Sequence, residues 1–218
     1  ALGDGEGRVL HATDGEPPPP GARVNVSIDA ARRRAHMSQH TGQHLLSRVL
    51  LDVAGAATVS SRLGEETCTI DTPLERIEPA LLAEAVRRAN TAVLENRRVV
   101  AHFPTPAELA AMPLRRDPKV SDDVRVIEIE GLDFSPCGGT HCTATGQVGA
   151  VFIDGVERHK GGTRITFRTG LRALDTLFAR DVALKDIGRR LTCGWDEVGA
   201  AVAKLRTELQ SCLLYTSP

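Results

Sequence analysis

His36, His40 and His44 recur at every fourth residue, a spacing that returns each side chain to the same helical face one turn along. Whatever this chain folds into must carry a row of imidazoles on one helix. Further on, Cys137-Gly-Gly-Thr-His141-Cys142 sets a thiol and an imidazole four apart around two glycines, whose missing Cβ lets the backbone bend sharply. Nitrogen and sulfur donors together suit zinc. Spacing alone leaves open whether His36 or His40 partners His44. A zincin peptidase motif is excluded, because Thr41 stands where that motif has glutamate.

Hydrophobic periodicity surrounds these stretches with both kinds of element, an α+β pattern in which a mixed or antiparallel sheet packs against helices. Residues 7–12 and 23–28 alternate as strands, separated by Pro17 to Pro20, a run without backbone donors. From Ala30 to Val53 the pattern is helical, with Leu45, Leu46, Val49, Leu50 and Val53 as its apolar side. Residues 58–62 and 67–71 read as a hairpin, Pro79 opens a helix with Ala85, Ala89 and Val93 at helical spacing, and residues 99–103 and 124–130 read as strands. A second hairpin is expected over 147–158 and 163–169, closed by His159-Lys-Gly-Gly162. Long helices follow from Leu171, broken near Cys193-Gly-Trp195, and residues 211–218 drop the helical period.

The chain has 218 residues, enough for a real core. Its net charge of −1 offers no global attraction to nucleic acid, so any such contact must be local. Arg32, Arg33 and Arg34, the pair Arg115 and Arg116, and Lys160 are the candidate phosphate contacts. Aromatic residues make up 3%, which disfavours a base-stacking platform. Five cysteines, an odd number, imply reduced thiols and a cytoplasmic setting rather than a disulfide framework. No apolar run reaches the roughly 18–20 residues that span a bilayer, so no membrane partner is expected.

Taken together, His40-Thr-Gly-Gln-His44-Leu-Leu-Ser, Leu63-Gly-Glu-Glu, Thr69-Ile-Asp71, Glu95-Asn-Arg97, Cys137-Gly-Gly-Thr-His141 and Thr145-Gly-Gln-Val-Gly149 resemble the editing domain of alanyl-tRNA synthetase. With Lys160-Gly-Gly-Thr-Arg164 they resemble more closely the free-standing AlaX-type alanyl-tRNA editing proteins. The resemblance implies hydrolysis of tRNA(Ala) mischarged with serine or glycine, and one zinc per chain on His40, His44, Cys137 and His141. It divides the chain into a remnant of a small β-barrel (1–30), the editing domain (31–170) and the start of a helical C-terminal region (171–218) that allows a homodimer. It also implies further sequence before Ala1, which is not an initiator methionine.

Beside the expected zinc, Thr69, Asp71, Gly138, Gly139 and Thr140 are the substrate-binding candidates, and Gln43 and His36 the candidates for positioning water. Four protein ligands would close a tetrahedron, whereas catalytic zinc keeps a position open. Editing of another mischarged tRNA, as in the related domain of threonyl-tRNA synthetase, and a non-catalytic zinc-stabilised tRNA-binding module are the alternative readings.

Overall fold

The structure, a computed structural model, describes residues 2–3, 9–65, 67–118, 120 and 122–216. The chain divides into two compact units, Ala1–Ala30 and Ala31–Pro218. In the first, β1 (Leu2–Gly3) pairs antiparallel with β2 (Val9–Leu10). Residues 7 and 8 of the expected first strand lie outside the described residues. Residues 23–28 join no ladder, which corrects the second strand expected there: Val24, Val26 and Ile28 are exposed and meet no partner sheet to bury them.

The second unit starts with α1 (Ala30–Ala54), followed by β3 (Ser60–Leu63), β4 (Cys68–Thr72), α2 (Pro79–Leu94), β5 (Val99–His102) and the short α3 (Pro106–Ala111). Then come β6 (Val126–Ile129), β7 (Asp133–Pro136), a 3-10 turn (Thr145–Val148), β8 (Val151–His159), β9 (Gly162–Thr169), α4 (Gly170–Leu191) and α5 (Val198–Thr216). The sheets are β3-β4-β9-β8 and β5-β6-β7, and every described pairing is antiparallel. The molecule is α+β. Among the described residues no helix is long and apolar enough to cross a membrane, and no cysteine is in a disulfide.

Local chemistry accounts for most boundaries. Pro79 occupies the first turn of α2, where its missing N–H costs nothing, and Thr105 with Glu108 forms a reciprocal capping box on α3. Lys160 and Gly161 both have positive φ, the backbone of a two-residue type I′ turn, and this closes β8 on β9. Residues 147 and 148, expected in strand, belong instead to the 3-10 turn, and α5 runs on through 211–216, where the side-chain pattern alone had lost the helix.

Strict alternation sorts the larger sheet. Ile165 and Phe167 of β9, with Cys68 and Ile70 of β4, face the core, together with Leu45, Leu46, Val49 and Leu50 of α1 and the small Ala85, Ala89 and Ala92 of α2. Helix α1 lies against the end of β9 at Gly42, where a Cβ would sit 2.5 Å from Thr169 Cγ2, and Ser38 Oγ meets Val148 O at 2.7 Å and Thr169 Oγ1 at 2.8 Å.

The Thr145 motif ties α2 to the start of β5. Thr145 Oγ1 donates to Ala92 O (2.6 Å) and accepts from the Arg97 amide (2.8 Å), and Asn96 Oδ1 accepts from the Gly146 amide (3.2 Å). Thr145 is fully buried. Thr145→Val keeps the shape but leaves two backbone groups unpaired, so it should lower unfolding stability in urea by about 1–3 kcal/mol; stability equal to the parent would refute this role.

Candidate metal centre

Two elements supply the donors. His40 and His44 stand one turn apart on α1, and β7 runs straight into the loop that carries Cys137 and His141. One ligand atom from each of the four lies within 4.8 Å of all the others. Cys137 Sγ is 3.3 Å from His40 Nε2 and 3.4 Å from His141 Nε2. Ligands on one tetrahedral zinc, at bond lengths of roughly 2.0–2.3 Å, stand roughly 3.3–3.7 Å apart. The donor set suits such an ion in type, and the two distances from Cys137 match its spacing. His36, the open alternative in the sequence, is half-buried and is not one of the four.

Each imidazole is also held from behind. His141 Nδ1 is 3.2 Å from Thr41 Oγ1, which accepts in turn from the Cys142 amide at 3.0 Å. His44 Nδ1 faces Asp133 Oδ2 at 3.6 Å, and both side chains are buried. His40 packs on Gly139, where a Cβ would come within 2.6 Å of Nδ1 and closer still to Cε1. Gly139 is thus required for close approach. Neither loop glycine has positive φ, and Gly138 has open space where a Cβ would go, so the sharp bend expected of the pair is not what they supply.

Arg125, which sequence reasoning passed over, anchors the loop. Its Nη1 donates to Cys137 O (2.9 Å) and Gly139 O (2.7 Å), while its own carbonyl accepts from the Cys137 amide (2.9 Å). The only hint was its place within the expected strand 124–130 that leads to the ligand loop.

The electrostatics favour a metal-ready state. Burial pushes the Cys137 thiol up, but hydrogen bonds from His141, His40 and His44 outweigh it and bring the pKa down to about 3. Burial, opposed by the Cys137 contact, takes His141 down to about 4. Burial likewise opposes the charge on Asp133, yet the His44 contact and the Arg115 charge hold its carboxyl below the usual range.

Other candidates fall where their elements put them. Thr140 is exposed within the ligand loop. Thr69 and Asp71 alternate with core-facing Cys68 and Ile70, so they lie on the opposite face of β4. Asp71 is taken up by Arg164 (2.7 and 3.0 Å) and Ser60 (2.6 Å), and the Arg164 contact chiefly lowers its pKa to about 2. Gln43 Nε2 donates along the helix to Ser47 Oγ at 2.7 Å.

Arg32, Arg33 and Arg34 are exposed at the start of α1, Arg32 lying 3.9 Å from Glu65. Lys160 is exposed at the β8–β9 turn, roughly 20–25 Å along the hairpin from Thr169. Arg115 is not a surface cation: its side chain is 4% exposed and its Nε meets Asp133 Oδ1 at 2.8 Å. That corrects its expected role, because a buried, ion-paired guanidinium presents nothing to a phosphate. Arg116 is exposed and rims a cleft of about 360 Å³ whose walls include Asp117, Val124, Arg125, Cys137 and Gly138.

Comparison with known proteins sets this geometry in context. The model of the threonyl and alanyl tRNA synthetase second additional domain matches residues 124–166, which include β6, β7, the ligand loop and β8. An alanine–tRNA ligase of Desulforudis audaxviator is 34% identical over 192 residues, covering 85% of this chain and 22% of the ligase. Alanyl-tRNA editing protein Aarsd1 of Rattus norvegicus is 31% identical over 200 residues, covering 86% of this chain and 46% of its own. Over most of its length the chain is thus similar to part of alanine–tRNA ligases and of alanyl-tRNA editing proteins. It spans less than half the length of either relative, and so corresponds to one part of each.

Two outcomes follow for the loop and the donors. Gly139→Ala should displace His40 and weaken Co2+ binding, whereas Gly138→Ala should leave it unchanged; equal affinities would contradict the packing argument. Below its ordinary value of 6.5, His141 refuses a proton that the unfolded chain accepts, until about pH 4, and Cys137 acts in the same sense between 9.0 and about 3. Stability of the metal-free protein should therefore fall as pH drops from 6.5 to 4, and denaturation curves that are flat across that window would contradict it.

Proposed function

We propose that this chain hydrolyses the ester linking serine, and also glycine, to mischarged tRNA(Ala), at a zinc centre held by His40, His44, Cys137 and His141. The observation that carries the reading is the convergence of these four donors, one of which, Cys137, also lines a cleft of about 360 Å³, in a chain similar to alanyl-tRNA editing proteins. That volume lies within the usual range of small-molecule sites. A zinc ion bound there supplies Lewis-acid polarisation of the ester carbonyl and acidifies a water.

The chain's own residues supply the rest. Water adds to the carbonyl, the ribose oxygen leaves and takes up a proton, and free amino acid and tRNA are released. Gly138 lines the cleft beside Cys137, and the backbone amides of Gly138, Gly139 and Thr140 are the proposed donors to the developing oxyanion. Because Gln43 donates to Ser47, His36 is the preferred group for positioning water. Arg116 at the cleft rim is the proposed contact for the terminal phosphates, with Arg32, Arg33, Arg34 and Lys160 as outer contacts.

Leu171, Leu174, Phe178 and Val182 form an exposed apolar stripe on α4, which supports a homodimer through the C-terminal helices in a longer protein. A non-catalytic tRNA-binding module is the second reading, favoured by one observation: four protein donors fill a tetrahedron.

The test is release of serine from serine-charged tRNA(Ala), with serine-charged tRNA(Thr) in parallel and metal content measured on the same samples. Release specific to tRNA(Ala), lost by more than about 100-fold in His44→Ala, supports the hydrolase, since even partners outside the ligand set commonly cost 10–100-fold. Retained zinc and tRNA binding without release supports the binding module.

A further inference from the structure

Asp133 and Arg115 form a charge pair inside the protein, with side chains 0% and 4% exposed. Charges are costly to desolvate, so a buried pair needs its remaining hydrogen-bonding capacity met. Arg115 is well satisfied. Its Nε meets Asp133 Oδ1 at 2.8 Å, its Nη2 donates to Ser135 Oγ at 2.7 Å, and its backbone amide donates to Phe134 O at 2.8 Å. These contacts fix the guanidinium along β7, where Asp133 and Ser135 are the two buried residues.

Asp133 Oδ2 is the exception. It has no hydrogen-bond partner among the described residues, and neither has His44 Nδ1, the group it faces at 3.6 Å. Among the described residues no other ring nitrogen of the cluster is paired with a carboxylate: His141 Nδ1 meets a hydroxyl, and Gly139 crowds His40 at Nδ1. If Nε2 of His44 is the ligand atom, Nδ1 must carry the proton and requires an acceptor. Asp133 Oδ2 is the acceptor in place.

We propose that Asp133, braced by Arg115, is a positioning residue that fixes the tautomer and ring orientation of His44 for metal binding through Nε2. The inference rests on the metal reading of the four-donor cluster. Strand β7 thereby has two tasks: it starts with the group that orients one ligand and ends beside Cys137, which is another.

The test compares metal-free wild type with Asp133→Asn, each titrated with Co2+ against a competing chelator, alongside thermal melting of the metal-free forms. The expected result is a 10–100-fold weaker Co2+ affinity in the folded variant. Melting lowered with affinity unchanged means that the pair merely stabilises the fold, and overturns the proposal. Wild type that takes up no Co2+ removes the metal reading and the proposal together, so the two failures are distinguishable. Should Asp133→Asn not fold, nitrogen-edited NMR of zinc-loaded wild type decides instead. An exchange-protected Nδ1 proton on His44 supports the assignment, and a ring bound through Nδ1 overturns it.

Discussion

Crowding a thiolate and three imidazoles within 4.8 Å inside a protein is unfavourable unless their orientations are imposed from outside and their charges complemented. Much of the fold around the site serves that constraint. Thr41 holds one ring, Asp133 faces another, Gly139 makes room for the third, and Arg125 pins the loop that bears the sulfur. The larger scaffold sets the two ligand-bearing elements at a fixed distance. Gly42 lets α1 approach β9, while β6 holds β7 in register from Val126 opposite Pro136 to Ile129 opposite Asp133.

The ligand candidates were legible because their chemistry repeats at helical and loop spacing, and a resemblance of motifs singled out four of them. Their supports were not, because a side chain's direction is a tertiary property. Arg115 in a prolyl, basic stretch reads as a surface cation, yet it turns inward to an aspartate 18 residues later in the chain. Asp133 drew no reading, since the short β7 contains a proline and lacks the branched residues that mark a strand. In β4 the signal was present but underused. Cys68 and Ile70 are the apolar members of an alternating run, so parity alone places Thr69 and Asp71 on the opposite face.

The same logic separates two kinds of glycine in these motifs. Gly139 and Gly42 are required by close approach, and both face residues of another element. Gly161 instead supplies a backbone conformation, next to Lys160, that closes a hairpin. Motifs of one composition therefore do different physical work, and only packing distinguishes them.

The central claim is a single ion held by three nitrogens and one sulfur. X-ray absorption at the zinc edge on the protein as purified tests it most directly. One sulfur at about 2.3 Å and three nitrogens at about 2.0–2.1 Å are predicted; a zinc shell without sulfur, or protein that retains no metal while folded, would contradict it.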